Sequence, residues 1–255
     1  MSFEIKEKEE YQYIDEGSGE VMLLLHGLFG ALSNWDEVIG KFSKKYRVII
    51  PLLPIYTMPI KKARIKGLNS FVEDFVEELE LDNFILVGNS LGGHVGLVYT
   101  LANQSKVAKL VLTGSSGLYE DTMGGSFPKR GDYQYVKEKV GYTFYDPSIA
   151  TKDLVDYVFE VTKSNMKCLR IISIARSAQT HNMASELGLI QVPTLLVWGL
   201  NDTITPPFVA HEFNRLIKGS KLRFIDKCSH APMMEVPATF NEILDEFLTN
   251  SEVTN

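Results

Sequence analysis

The chain of 255 residues predicts an α/β architecture, a mostly parallel central sheet with helices on both faces and one helical insertion. Three observations carry this expectation. Short apolar runs with β-branched residues alternate with longer stretches whose apolar residues recur at helical spacing. Apolar residues make up 45% and charged residues 23%, close to globular averages and enough for a sizeable core. One long interval, 118–188, holds no strong strand.

In chain order the expected strands are 10–14, 21–25, 47–52, 83–87, 109–113, 194–198 and 221–225. Between them, 70–81 repeats apolar residues at Phe71, Phe75, Val76 and Leu79 with acids opposite, as a helix with one buried stripe does. The stretches 91–102, 207–217 and 239–248 read the same way. The interval 118–188 contains GGSFPKRGDY and then Leu154, Tyr157, Val158 and Val161 at helical spacing. Unstructured loops of more than ~15 residues are uncommon in compact domains, so this interval is expected to be a helical lid. The core is then 1–117 and 189–255, discontinuous in sequence.

Composition narrows the function classes. Lys plus Arg minus Asp plus Glu is 26 − 32 = −6, and no face-sized basic block occurs, which disfavours a nucleic-acid partner. Small neutral substrates remain open. Cys168 and Cys228 are too few for a disulfide framework and form no CxxC. The first residues are charged where a signal peptide needs an apolar stretch, and no run approaches the ~20 apolar residues of a membrane span. A cytoplasmic protein without membrane insertion is expected, its oligomeric state open.

Gly88-Asn89-Ser90-Leu91-Gly92 matches G-x-S-x-G between an expected strand and an expected helix. A serine there sits on a sharp turn that needs small neighbours, and its hydroxyl projects alone. The helix start adds free N–H groups and a positive dipole end that favour negative charge at the reacting oxygen. A serine hydroxyl is a weak nucleophile near neutral pH, so it needs a base, and the base needs an acid to orient and charge-balance it. His230, in Cys228-Ser229-His230-Ala231-Pro232, and Asp202, in Trp198-Gly199-Leu200-Asn201-Asp202, both lie beyond carboxyl ends of strands, where α/β sheets place reactive groups. His26 suits loop shaping better. His94, His181 and His211 read as structural.

His26-Gly27-Leu28-Phe29-Gly30 closes an early strand and can supply backbone donors to an oxyanion. The expected donors are the N–H groups of Leu28 and Leu91, with Phe29 as substitute for Leu28. Each is worth about 3 kcal/mol of transition-state stabilisation.

HGLFG, GNSLGG, WGLND and CSHAPMMEVP, in this order and context, resemble the α/β-hydrolase superfamily over nearly the whole chain apart from the insertion. The resemblance implies the α/β-hydrolase fold, with Ser90 as nucleophile, Asp202 as acid and His230 as base. Glu235 then looks like the family's acidic residue near the final helix, a helix cap and not a catalyst. No metal or organic cofactor is implied. One departure stands out: members usually carry something like D-L-P-G-x-G where this chain has Pro51-Leu52-Leu53-Pro54-Ile55-Tyr56-Thr57-Met58-Pro59. Ile55, Tyr56 and Met58 either line the pocket or pack. The following Lys61, Lys62, Arg64 and Lys66 read as a solvated basic loop.

A serine at the elbow argues against dehalogenases and epoxide hydrolases, which need a carboxylate there. Hydrolysis of small or medium-chain, largely apolar carboxylic esters through an acyl-enzyme is the first expectation. The alternative is carbon–carbon hydrolysis of dienoic acids, as in the meta-cleavage-product hydrolases, which share the GNS elbow and a helical lid. Two of their features are missing here: a Trp after the catalytic His, where this chain has Ala231, and an Arg in the stretch matching 153–161. Arg170 or Arg176 remain available for a substrate carboxylate. A slow-turnover receptor on the hydrolase fold is a third reading. The expected pocket residues are Phe29, Asn89, Tyr119, Phe127 and Phe144, drawn in part from a larger apolar set that includes Met123, Tyr142 and Tyr145.

Overall fold

The structure is a computed structural model that describes residues 3–30, 32–120 and 131–249. Eight strands form one sheet: β1 (Lys6–Lys8), β2 (Tyr11–Gly17), β3 (Glu20–Leu25), β4 (Tyr46–Pro51), β5 (Phe84–Asn89), β6 (Val107–Thr113), β7 (Thr194–Gly199) and β8 (Lys221–Ile225). Their order is β1-β2-β4-β3-β5-β6-β7-β8. The pairs β1·β2 and β2·β4 are antiparallel and the remaining pairs are parallel. All six residues of β5 and of β7 are buried, as expected for parallel strands covered on both faces.

The period-two alternation of side chains assigns each strand residue to one face. Leu23, Leu25, Leu86, Leu112 and Trp198 pack with helices α2 (Ile65–Glu78), α3 (Leu91–Ala102) and α7 (Pro207–Leu216). Met22, Leu24, Ile85, Val87 and Val197 face α1 (Asp36–Phe42) and α9 (Pro237–Thr249). Burying such side chains contributes ~1.5–3 kcal/mol each.

Between β6 and β7 the chain forms α4 (Tyr133–Gly141), α5 (Lys152–Lys163) and α6 (Asn165–Thr180). Their starts are capped by side chains: Asp132, Thr151 and Ser164 accept from the N–H groups of Tyr135, Leu154 and Lys167. Ser164 also ends α5, so α5 turns directly into α6. The short α8 (Pro232–Glu235) precedes α9.

The sequence expectation names neither β1 nor α1, and the other departures lie at element ends. Strand β1 is a charged Lys-Glu-Lys edge without apolar alternation, and its backbone pairing with β2 alone defines it. Helix α2 starts at Ile65, ahead of the expected 70, because Ile65 and Leu68 extend its buried stripe across polar and glycine positions. It stops before Glu80, whose φ of 51° is left-handed. Ile55 and Met58 are core residues and Tyr56 donates to the Leu28 carbonyl at 3.2 Å, so the unusual loop packs. Lys61, Lys62, Arg64 and Lys66 are exposed. Among the described residues no helix is long and apolar enough to cross a membrane.

The turn from β5 into α3 is the tightest place in the fold. A Cβ on Gly92 would lie 2.2 Å from the Leu25 carbonyl oxygen, and one on Gly88 2.6 Å from that of Gly92. Backbone on the far side of each contact cannot yield. Gly92→Ala should therefore destabilise the protein by about 3 kcal/mol or more in urea titration. Gly40→Ala, in α1 with nothing within 4 Å of the added carbon, should leave stability unchanged or higher.

Candidate active site

Ser90 stands between β5 and α3 with φ 55° and ψ −120°, a left-handed φ that costs a non-glycine residue roughly 1–3 kcal/mol. Neighbouring backbone fixes it there. Its N–H donates to the Thr113 carbonyl at 3.1 Å, and its carbonyl accepts from the N–H groups of His94 at 3.1 Å and Ser116 at 3.2 Å. The strained turn lifts the side chain off the sheet edge into a cavity of about 520 Å³.

His230 reaches the same cavity from the loop after β8. Its Nδ1 lies 2.9 Å from Asp202 Oδ2, with both side chains buried. Asp202, in the turn after β7, is itself fully engaged. Its Oδ1 accepts from the N–H groups of Ile204 and Thr205, each at 2.9 Å, and its Oδ2 accepts from the Thr205 hydroxyl at 2.8 Å. The carboxylate is thus held in place, and it fixes the imidazole tautomer with Nε2 left to accept a proton. Burial pushes the His230 pKa down, but the charge and hydrogen bond of Asp202 outweigh it and hold the value above that of an ordinary histidine. Glu120 and Glu235 add smaller contributions in the same upward direction.

Two further residues hold the arrangement. The Asn89 amide donates to the carbonyls of Thr113 at 3.0 Å and His230 at 3.1 Å, tying the elbow to the histidine loop. The Glu235 carboxylate accepts from the N–H groups of Ser229, Ala231 and Tyr145, at 3.0, 3.2 and 2.7 Å. It caps the start of the short α8 and clamps the histidine loop to the insertion. Asn89 lines the cavity, yet its amide is committed to backbone, so it acts on the loop before it can act on a substrate.

Leu28, Phe29 and Leu91 also line the cavity. Among the described residues the N–H groups of Leu28 and Leu91 donate to no other protein group, as an oxyanion pair requires. Ser90 and His230 share the cavity without a hydrogen bond between their side chains among the described residues. Such bonds are often long in unliganded enzymes and tighten with substrate.

Of the expected pocket residues, Phe29, Asn89 and Phe144 line the cavity and Phe127 lies outside the described residues, as does Met123. Tyr119 does not line it. The residue is 51% exposed and its ring packs on Phe208 at 5.4 Å. Tyr142 and Tyr145 line a separate, open hollow of about 730 Å³ that touches Asp202 and contains neither Ser90 nor His230.

The remaining histidines have other partners. His26 Nε2 accepts from Leu53 N–H at 3.0 Å and its Nδ1 lies 2.9 Å from the Gly27 carbonyl, and burial lowers its pKa to about 4. It is neutral and shapes the loop. His94 stacks on His181, with Nε2 to Nδ1 at 2.9 Å, and burial lowers its pKa to about 3. His211 packs on Phe224.

Sequence reasoning missed Ser116 and Glu120, which both line the cavity. Their one signal is position, since both follow the carboxyl end of β6. Arg176 of α6 also lines it, whereas Arg170 donates to the Met58 carbonyl at 2.6 Å.

The proposed role of His230 as base, which must be neutral to act, together with its raised pKa, predicts that hydrolysis falls as pH drops through a value above the ordinary ~6.5 of histidine. Asp202→Asn should move that acid limb to lower pH and cut kcat by about 10⁴-fold, read from pH–rate profiles of both proteins.

Comparison with known proteins agrees with this geometry. The sequence profile of the alpha/beta hydrolase fold matches residues 20–156. A 2-hydroxy-6-oxononadienedioate/2-hydroxy-6-oxononatrienedioate hydrolase of Cupriavidus pinatubonensis is 28% identical, over 92% of this chain and 89% of its own length. A 2-hydroxy-6-oxo-2,4-heptadienoate hydrolase of Pseudomonas putida is 26% identical, over 92% and 91%. Among solved structures, an alpha/beta hydrolase enzyme from the sediment metagenome of the lagoon of Mar Chica is 38% identical, with a TM-score of 0.79 and coverage of 96% of this chain and 97% of that one. The sheet order, the strained serine after β5 and these matches together show that the chain belongs to the α/β hydrolase fold family.

Proposed function

We propose that the chain is a serine hydrolase that cleaves a carbon–carbon bond in 2-hydroxy-6-oxo-dienoic acids, with Ser90, His230 and Asp202 as nucleophile, base and acid. The observation that carries this is one cavity holding Ser90, the Asp202-bound His230 and, on its insertion wall, Arg176. The curated relatives described above act on this substrate class, and they favour this reading over the ester hydrolysis that the sequence motifs put first. Arg176 answers the objection that α5 has no arginine, because the cation comes from α6 instead. Helices α4, α5 and α6, within the 118–188 insertion, serve as the lid over the substrate.

In the proposed reaction the dienol first becomes the keto tautomer, its hydroxyl proton passing to the carbon that will leave. Ser90 then attacks the 6-oxo carbon while His230 Nε2 takes the hydroxyl proton, and the N–H groups of Leu28 and Leu91 hold the oxyanion. The carbon–carbon bond breaks with its electron pair entering the conjugated keto acid. His230 returns the proton to that fragment, leaving an acyl ester on Ser90. Water, deprotonated by His230, releases the acid and restores Ser90.

Ester hydrolysis is the second reading, favoured by the largely apolar lining from Val136, Val140, Phe144, Val158 and Ile171 and by Ala231 after His230. The same three residues would perform it with an alcohol as leaving group.

Kinetics on 2-hydroxy-6-oxohepta-2,4-dienoate and on 4-nitrophenyl butyrate separate the two. The proposal predicts a higher kcat/KM for the dienoate, with no turnover of either by Ser90→Ala. Arg176→Met should raise KM for the dienoate by about 10- to 100-fold and change ester kinetics little. A preference for the ester, unaffected dienoate binding in Arg176→Met, or no turnover at all would each count against it.

A further inference from the structure

The catalytic cavity contains a carboxylate that the proposed reaction does not use. Glu120 lines its wall beside Ser116, and the Ser116 hydroxyl donates to Glu120 Oε2. The stretch that carries them is anchored at several points. Ser116 N–H donates to the Ser90 carbonyl at 3.2 Å, Met183 N–H to the Gly117 carbonyl at 2.8 Å, and the Asn182 amide to the Leu118 carbonyl at 3.4 Å. Glu120 is therefore held near the reacting serine and does not trail into solvent. Burial raises its pKa, while the Ser116 hydrogen bond and the nearby His230 act in the opposite direction. His230 in turn faces Asp202, Glu120 and Glu235, and the cavity's described cations are Lys139 and Arg176.

Position makes this charge selective. In a cavity of about 520 Å³ a substrate group that reaches the Ser116–Glu120 wall faces that carboxylate, where like charges repel. Arg176 can meet one substrate carboxylate. A second one placed on the Glu120 wall meets a like charge there.

We infer that Glu120 is a specificity-determining residue that turns away substrates carrying a second carboxylate, so that the cavity takes monoacids and uncharged acyl groups but not diacids. This rests on the cavity being the site of reaction and is independent of which bond is cleaved. It separates this chain from its dienedioate-hydrolysing relative and sides with the heptadienoate one.

The test compares the 4-nitrophenyl monoester of succinic acid, which carries one carboxylate, with the 4-nitrophenyl monoester of propane-1,2,3-tricarboxylic acid, which carries two, each corrected with a Ser90→Ala blank. The heptadienoate and the nonadienedioate form a second pair. Wild type should favour the member of each pair that carries one carboxylate, and Glu120→Gln should shrink that preference by about 10-fold. Glu120→Asp keeps the charge and should keep the preference. Glu120→Gln should also move the acid limb of the pH–rate profile to lower pH, since one charge that raises the His230 pKa is gone. Should the glutamine variant fail to accumulate, Glu120→Ala gives the same readout. An unchanged preference in the glutamine variant, or its loss in the aspartate variant, overturns the inference. Ester turnover without dienoate turnover overturns the carbon–carbon reading alone, whereas no reaction with any substrate removes the ground for both.

Discussion

The hydrogen bond between Asp202 and His230 is the interaction on which the rest of the site depends. Two ionisable groups buried side by side would each be costly alone, and at 2.9 Å each offsets the burial of the other. Three further donors from Ile204 and Thr205 hold the carboxylate, so the imidazole inherits a fixed direction. The sheet makes this possible by bringing the ends of β5, β7 and β8 to one edge. Ser90 lies 112 positions before Asp202 in the chain, and His230 lies 28 after it.

The price of that convergence is local strain, concentrated at Ser90. Its left-handed φ persists because Gly88 and Gly92 let backbone approach closer than any side chain would permit. Thr113, His94 and Ser116 then tie the turn down. The surrounding core, buried on both faces of the sheet, supplies the stability that such a turn draws on. The insertion between β6 and β7 contributes most of the apolar lining and Arg176.

How much of this was legible in the sequence depended on whether the signal was local. Strands β5 and β7 read clearly because unbroken apolar runs mark them, β8 because its apolar residues alternate with basic ones, and the elbow because glycines frame Ser90. Asp202 and His230 could be picked from their places beyond strand ends, since a parallel sheet delivers those ends to one rim. Edge strand β1 was illegible because a charged three-residue segment is defined only by its partner's backbone. Tyr119 was misplaced for a related reason: aromatic identity says that a ring will pack, not on which side, and here it meets Phe208 on the outside. Glu120, one residue on, faces inward, and nothing in its neighbours announces the reversal.

Chemical labelling of the nucleophile tests the central claim most directly. A fluorophosphonate, which reacts with activated serines, should add once per chain, and peptide mapping should place the adduct on Ser90, with labelling abolished in His230→Ala. An adduct on another serine, or undiminished labelling of Ser90 without His230, would contradict the account.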